Sequence, residues 1–448
     1  MRHAQEGKAI AGELWLQKFQ LGKETVAGTP VPATRIIYAN GSIKPVYAVN
    51  LVEVATGTRD NQRDAHTKSV VVAGSITHPL AADETLEYFL MGLKSGVTAV
   101  AQAATTPTVQ PATFTNATSG GTIGTGVISA RYTVVYPAGE SQALNVVATT
   151  TTTTSASTVT IGAVTPLPAG ATGVRYFITA PGGAVGTASY AGTNATGASI
   201  TLTAPGDGTT LPPVTTPTAV QTYTFINGAA LDSGTLEWFD GQRNWQASGV
   251  RVNQIGVAGK VDGENILSVD LFGVGEIVNA ATGSLVDRTP DYFEGWEAKL
   301  YLDAFGGVAG TTNIPGTMLS WDVKINNNLA RKYFADNTRN TGAVTIGKLD
   351  VTVDITMEAN SYALTEYNNW VAGTKRLARL EFGNNVAVGT GTAKKKVMFD
   401  IPLAWTNVDI GVDDANTRAY KFTGAYVTDL TNAYAVQATV VGTRATTY

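Results

Sequence analysis

KLDVTVDITME, residues 348–358, is the stretch from which the fold can be worked out. Its apolar residues stand at every second position from Leu349 to Met357, with polar residues between them. Alternation of this length is typical of a β-strand that has one buried face and one wet face. The polar positions are Asp350, Thr352, Asp354, Thr356 and Glu358. We expect the apolar face to lie in a core and the acidic face to line an open surface.

The three carboxylates of this strand are poorly placed for a metal site or for paired acid–base catalysis. Residues four apart on a strand lie roughly 13 Å from each other, which is too far to share an ion. A stripe of like charges and hydroxyls instead repels other anions. We therefore interpret Asp350, Asp354 and Glu358 as part of the wall of a conduit.

The composition indicates a mostly β protein without enzymatic chemistry. The chain has 448 residues, of which 44% are hydrophobic, 15% are charged and 48 are glycine. That length allows a large core and more than one domain. There is no cysteine, and the only histidines are His3, His66 and His78, which leaves few routes to a zinc site or a catalytic triad. We expect no catalytic residue, no metal and no cofactor.

The charge and hydropathy patterns argue against nucleic-acid binding and against membrane insertion. The net charge is −4, and the single basic run, Lys394 to Lys396, has no aromatic residues interleaved with it. The N-terminus lacks a signal-peptide core, and no apolar run approaches the length of a membrane span. We expect a protein that is not inserted in a membrane and that assembles in the cytoplasm where it is made.

Two helices interrupt the β pattern. Residues 83–94 carry apolar side chains at helical spacing behind Asp83, and they predict a helix that closes one edge of a sandwich. Residues 361–372 predict a second helix, which has an apolar face formed by Leu364, Tyr367 and Val371.

A proline-rich stretch near the N-terminus predicts an extended arm. Each proline disfavours helical geometry in the residue before it. The arm residues are Gly28, Thr29, Pro30, Val31 and Pro32. Such an arm can lie along a neighbouring subunit, and a plain surface loop is an equally good interpretation.

The middle of the chain has a different chemistry. Residues 106–222 contain four charged residues, no tryptophan and no histidine. Short alternating runs separated by glycine and proline predict the strands of a second sandwich. Flanks rich in proline and threonine would act as linkers that keep this sandwich apart from the rest of the protein. We divide the chain into a first part (1–105), an inserted domain (106–222) and a second part (223–448), with the two outer parts forming one domain.

The outer parts resemble bacteriophage tail tube proteins. The resemblance rests on GKETVAGTP at 22–30, Gly74-Ser75-Ile76, Gly295-Trp296 and WDVKINN at 321–327, which leads into the strand at 350–358. It covers about residues 13–105 and 223–445, over many weak positions and no single diagnostic motif. The middle segment is similar to immunoglobulin-like or fibronectin-like modules of phage structural proteins, through RYTVVY at 131–136 and GVRY at 173–176.

This resemblance implies both a fold and a function. The fold would be mainly β: a two-sheet β-sandwich or barrel with a flanking helix, plus an inserted immunoglobulin-like or fibronectin-like sandwich. The protein would be a structural component of the virion, whose copies form hexameric rings that stack into the tail tube. Genomic DNA would pass through that conduit without specific binding during ejection. Tape measure and tail tip proteins would be its partners, and the insert would decorate the exterior.

Two other functions stay open on the residues alone. An adhesin could use the inserted domain to recognise host-surface glycans, with Tyr136 and Tyr190 stacking on sugars, although the alternation favours buried tyrosines. A glycosidase on a β-sandwich would need two carboxylates at a set separation in a cleft, and the sequence does not indicate such a pair.

Overall fold

The protein is described here by a computed structural model. The described residues are 18–53, 62–93, 98–102, 111, 113–136, 139–143, 148–168, 170–213, 220–228, 230–239, 244–274, 277–278, 285, 287–335, 341–388, 393–414 and 417–444.

Strands dominate the chain, as the composition predicted. The first group is β1 (Lys18–Lys23), β2 (Arg35–Ile37), β3 (Asn40–Glu53), β4 (Gln62–Pro79) and β5 (Thr98–Gln102). The middle group is β6 (Phe114–Ala117), β7 (Gly126–Tyr136), β8 (Gly139–Glu140), β9 (Ala148–Thr152), β10 (Thr158–Ile161), β11 (Gly173–Ile178), β12 (Ser189–Asn194) and β13 (Ile200–Leu202). The last group is β14 (Val220–Ile226), β15 (Gly234–Phe239), β16 (Asn244–Lys260), β17 (Ile266–Gly273), β18 (Ile277–Val278), β19 (Lys299–Ala304), β20 (Met318–Asn326), β21 (Ala330–Lys332), β22 (Ala343–Thr345), β23 (Asp350–Glu358), β24 (Arg376–Ala387), β25 (Lys394–Asp414), β26 (Thr417–Tyr426) and β27 (Gln437–Gly442).

The outer parts of the chain form a two-sheet sandwich. Its first sheet has the order β3-β4-β17-β16-β20-β23-β26-β25, and every neighbouring pair is antiparallel. Its second sheet has the order β19-β24-β25-β27-β14-β5. The long strand β25 belongs to both sheets: residues up to Leu403 pair with β24, and residues from Leu403 onward pair with β26.

One hydrophobic core fills the space between the two sheets. Strand β23 contributes Val351, Val353, Ile355 and Met357, all of them fully buried, so its apolar face is placed as the alternation predicted. Trp321 on β20 and Phe382 and Phe399 on the second sheet meet there as well. Inward-facing apolar residues on both sheets are what holds a β-sandwich together.

The two predicted helices are present and differ in burial. Helix α1 (Ala82–Gly92) is buried along nearly its whole length and packs on β16 and β27. Its N-cap is Ala81 rather than Asp83, and no side chain caps it. Helix α2 (Ser361–Val371) is capped by Asn360, whose side chain accepts from Tyr362 N and Ala363 N.

The apolar face that we predicted for α2 does not pack inward. Leu364 and Val371 are 51% and 65% exposed, whereas Ala363 and Glu366 are buried. Glu366 lies inside because it accepts from Trp405 Nε1 (3.1 Å) and pairs with Arg376 (3.0 Å). A satisfied carboxylate therefore fixes the rotation of this helix. Leu364 and Val371 face outward as a result, whereas Tyr367 packs against the core beside Tyr420.

The middle strands pair with one another in two further sheets. One has the order β13-β10-β6, and the other has the order β12-β11-β7-β8 with β9 on β7. A second hydrophobic cluster lies among them, with Ile128, Val134, Tyr176 and Ile178 fully buried. The domain limits 106 and 222, and the immunoglobulin-like or fibronectin-like character of this segment, stay predictions.

Candidate functional site

The outward face of the first sheet is mostly polar, with alanine and glycine among the polar residues, and we call it the polar wall. All five residues proposed from sequence lie on it, because alternate residues of β23 point away from the core. Asp350, Thr352 and Glu358 are exposed, and Asp354 and Thr356 are partly exposed. Strand β23 is central in the sheet, with β20 on one side and β26 on the other.

The cross-strand register continues the polar wall on both sides of β23. Asp354 lies between Asp322 and Thr423, and Thr356 lies between Ser320 and Lys421. Further along, the wall residues that oppose one another are Lys324 and Gly256, Gln254 and Asp270, Asp270 and Ser75, and Ser268 and Thr77. Polar residues, with glycine and alanine between them, thus continue across successive strands, and the large apolar residues meet on the core side.

Lysines are interleaved with the acids of the polar wall. Lys421 Nζ lies 3.1 Å from Asp354 Oδ2, and Lys324 Nζ lies 2.6 Å from Asp322 Oδ2. The sequence led us to expect carboxylates and hydroxyls alone, because the lysines belong to strands whose pairing with β23 the sequence does not show. Both of these lysines are matched to acids, and strands β20, β23 and β26 together keep an acidic excess on the wall.

The polar wall has no geometry for catalysis or for metal binding. Within the described ranges, no group of three His, Cys, Asp or Glu residues could hold a metal ion. The wall carboxylates lie along exposed strands, and the two that directly oppose each other, Asp322 and Asp354, are each paired with a lysine. What the wall can do is present a hydrated, net acidic surface that repels phosphates instead of binding them.

The predicted arm, Gly28 to Pro32, lies against its own chain. The carboxylate of Glu24, which is 5% exposed, anchors the turn before it by accepting from Gly28 N (2.8 Å) and Thr235 Oγ1 (2.9 Å). Val31 N in turn donates to Thr235 Oγ1 (3.0 Å). Thr29, Pro30 and Pro32 are exposed. Contact of this arm with another subunit stays a prediction.

The second sheet carries an apolar patch on its outer face, where the middle segment packs. Val220, Met398 and Val441 belong to the hydrophobic cluster of the middle segment, although their strand neighbours Phe399 and Val440 point into the main core. Val220 is 1% exposed and Met398 and Val441 are each 7% exposed. The middle segment is therefore seated on the main sandwich, where we had expected linkers to hold it apart. It covers the side opposite the polar wall.

The two tyrosines considered for sugar binding are not open platforms. Tyr136 is 3% exposed. Tyr190 is partly buried, with the Arg175 guanidinium 4.5 Å from its ring centroid and the Phe177 ring beside it.

Helix α1 takes part in a buried charge network that sequence reasoning did not find. Glu84 pairs with Arg288 (2.7 Å), and Glu87 pairs with Arg444 and with Arg35 (3.5 Å). The partners of both acids lie far away in sequence, so no local pattern indicates these pairings. Burial raises the pKa of Glu84 to about 7, outweighing the opposite effect of Arg288.

Comparison with known proteins gives one family. A family model described as phage tail tube protein matches residues 203–423, which run from the end of the middle segment into β26 and include most of the polar wall. No curated protein matches the chain. Among the described residues, no helix is long and apolar enough to span a membrane.

Proposed function

Because the chain is a phage tail tube protein, we propose that its copies close into rings whose polar walls face the central channel, or bore. A protein of this family is a structural component of the virion tail and assembles into a multi-subunit tube. The rings stack into the conduit through which the genome is ejected. The observation that carries this proposal is the difference between the two faces of the sandwich. One face is hydrated and net acidic, and the other is apolar and covered by the middle segment.

The bore function follows from the electrostatics of the polar wall. DNA carries one phosphate charge per about 1.7 Å of duplex, so a wall that attracted phosphates would hold the genome in place. On β20, β23 and β26, carboxylates and hydroxyls whose two lysines are each matched to an acid give no such attraction. No enzymatic step is needed for this task, and cytoplasmic assembly with tape measure and tail tip proteins fits a subunit of this kind.

Ring stacking is supported by two hairpins at one end of the sandwich. The distal part of the β3–β4 hairpin exposes Tyr47, Val49 and Leu51, each by more than half. The segment between β20 and β23 leaves the sheet at the same end and exposes Tyr333 and Phe334. Exposed apolar groups at one end of a subunit mark a contact surface, and the next ring is the partner that a stacked tube provides.

A charge reversal in the polar wall tests this function. Phage that carry Asp350→Lys and Asp354→Lys should assemble full-length tails, because both side chains lie outside the core. Genome ejection should slow by at least tenfold, since four charges per chain are shifted toward attraction for phosphate. The measurement is DNA release from purified particles after triggering, at several salt concentrations.

The matched control is Asp207→Lys, an exposed acid of the middle segment on the opposite side of the molecule. It should leave ejection unchanged. Normal ejection by intact particles with the wall variant would remove these residues from the bore.

A further inference from the structure

The first sheet is built from two copies of one four-strand unit. The first unit has the order β3-β4-β17-β16, and the second has the order β20-β23-β26-β25. In each unit the first two strands pair with each other, and the last two pair as a second hairpin whose later strand lies beside the first pair. The chain therefore runs through the same arrangement twice.

The helices repeat with the strands. Two residues separate the end of β4 at Pro79 from the start of α1 at Ala82, and two separate Glu358 from the start of α2 at Ser361. Both helices have 11 residues. The polar wall residues Thr77 and Thr356 each stand five positions before their helix, which makes them equivalent.

A shared irregularity confirms the repeat in the later hairpins. The pairing of β16 with β17 shifts register between Val252 and Gln254, opposite Asp270. The pairing of β25 with β26 shifts register between Trp405 and Asn407, opposite Thr423. A β-bulge bends a strand at a set position, so two bulges at matching places indicate one structural unit used twice.

Within the chain, the two units are joined by pairing β16 with β20. Seven antiparallel residue pairs run from Gln254 and Asn326 to Lys260 and Ser320. Gly256 lies opposite Lys324 on the wall side, and Val257 is 1% exposed beneath them. This internal join shows how the last strand of one unit pairs with the first strand of the next.

The outer edges of the sheet are the equivalents of these joined strands. Among the described residues, β3 pairs with β4 alone, and residues 404–414 of β25 pair with β26 alone. The sheet has an even number of antiparallel strands, so its two edges run in opposite directions. Edges of this kind can join head to tail between copies that are related by rotation.

We infer that β25 of one copy pairs with β3 of the next copy in the register of the internal join, and that three copies close the ring. The binding partner of each edge strand, β3 or β25, is thus a second copy of this chain. The inference rests on the proposed function, which requires a closed ring.

The internal join sets the register between copies. Thr77 and Thr356 are equivalent, so the residues opposite them on the next strand, Ser268 and Lys421, are equivalent as well. The residues opposite these two on the following strand, Gly256 and Asp409, are therefore also equivalent. When positions are counted in the same way along the pairs β3–β4 and β20–β23, Lys44 is equivalent to Lys324. The pair Gly256 and Lys324 within the chain therefore predicts Asp409 opposite Lys44 between copies, an exposed acid facing an exposed base.

The apolar residue beside this pair also lacks its cover in a single chain. Ile410 occupies the place that Val257 has in the first unit, and yet it is 57% exposed where Val257 is 1% exposed. Val257 is opposed by Val323 of β20, and the equivalent residue of the incoming β3 is Ile43. Burial of Ile410 against Ile43 of the next copy would complete the second unit as β20 completes the first.

The number of copies follows from the width of the sheet. Eight strands per chain give twenty-four strands for three copies and forty-eight for six. With strands about 4.8 Å apart and tilted by about 40°, the barrel would be roughly 50 Å across for three copies and roughly 95 Å for six. The larger bore is far wider than one duplex needs. The resemblance to tail tube proteins implied six subunits, and three chains already present six units.

Cysteine cross-linking tests the join and counts the copies in one experiment. The chain has no cysteine, so Lys44→Cys with Asp409→Cys introduces only the pair of interest. Directly opposed residues on paired strands have Cα atoms about 4.5–5.5 Å apart, which a disulfide can span. Oxidised tubes of the full-length protein, run on a denaturing gel without reductant, should give a ladder that stops at three chains.

The control is Lys44→Cys with Ile410→Cys, in which the neighbouring residue points to the opposite face of the strand and cannot bridge. A ladder that continues to six chains would overturn the three-copy ring. Intact tubes that do not cross-link, or that cross-link equally well in the control, would overturn the register. Both of these results leave the proposed function standing, because tubes are present. Failure of the unsubstituted protein to form rings or tubes would count against the function and the join together.

Discussion

Val353 shows how much of the sandwich depends on a single position. It is fully buried in β23, between Val323 and Gly424 on the neighbouring strands. A carboxylate at this place has no partner, and its desolvation costs several kcal/mol, which is comparable with the whole stability of a domain. We expect Val353→Asp to be insoluble or unfolded, as measured by circular dichroism and size-exclusion chromatography.

Thr352→Asp is the matched control, since its side chain points to the polar wall one residue away. It should fold normally. Soluble Val353→Asp protein that assembles into rings would show that this face of the strand is not buried in the working protein.

Glu84 gives the protein a pH dependence with a definite sign. Burial raises its pKa from 4.5 to about 7, so the folded state binds a proton that the unfolded state releases. This contribution to stability is fully present below pH 4.5 and is lost as the pH rises through about 7. The loss amounts to about 3 kcal/mol at most, at about 1.4 kcal/mol per pKa unit.

Urea unfolding at pH 5.5 and pH 8 measures this effect. Glu84→Gln keeps a hydrogen-bond acceptor for Arg288 and removes the titration, so its stability should change less between the two pH values than that of the unsubstituted protein. Glu358→Gln, at an exposed acid of the polar wall, serves as control and should behave like the parent. Equal pH dependence of Glu84→Gln and the parent would assign the titration to another group.

At the scale of elements, local patterns could be predicted and partners could not. Alternation in β23 located a buried face and a wet face because it depends only on the strand's own period. The rotation of α2 depends on Glu366 meeting Arg376 and Trp405, and no sequence pattern links these three residues. For the same reason the lysines of the polar wall were missed: they come from β20 and β26, far from β23 in sequence.

The repeat of the four-strand unit escaped sequence reasoning because the two units share geometry and few residues. Equivalent wall positions hold Ser75 in one and Asp354 in the other, and equivalent core positions hold Gly41 and Trp321. Strand pairing tolerates such differences as long as polar residues stay on one face. Spacing between strand and helix was kept, and that signal is visible only once the strand ends are known.

The middle segment can be removed only if the patch beneath it is made polar. Deleting residues 106–221 with a short Gly/Ser link should leave the main sandwich intact, because the deletion takes only Val220 and Gln221, at the start of β14, from its sheets. The deletion exposes Val388, Met398 and Val441, however, and such a patch favours aggregation. We expect the deleted protein to become soluble and to form tubes when Met398→Ser and Val441→Thr are added.

Light scattering and negative-stain microscopy would compare the two deleted forms. The full-length chain with Met398→Ser and Val441→Thr controls for the substitutions themselves. A soluble deleted protein that forms no tubes would place the middle segment in the ring or stacking contacts and would refute its role as exterior decoration.

For the whole molecule, the position of the middle segment bears on the type of tail. It covers the face opposite the polar wall, so in the proposed ring it stands on the outside of the tube. A domain of about 100 residues has a radius of gyration near 13 Å, and a contractile sheath must wrap closely around its tube. We therefore expect a non-contractile tail, which electron microscopy of the particle would show as a knobbed tube without a sheath.

A sheathed tail around this subunit would contradict that expectation. The family could be predicted from sequence, since the resemblance already pointed to phage tail tube proteins, whereas the lining of a conduit by the acidic strand stays a prediction. The order of strands in the wall, and with it the width of the bore, could not be, because it depends on pairings between residues that are hundreds of positions apart.

Two fused units need not carry the same charge. Of the described wall residues, the first unit has the carboxylate of Asp270 against bases that include Lys44 and Lys260, whereas the second has five carboxylates against Lys324 and Lys421. A ring of three such chains would therefore present three acidic stripes alternating with three that have no acidic excess. If the stripes follow the twist from ring to ring, the advancing duplex travels along helical tracks of alternating potential, with a periodicity that six identical subunits cannot produce.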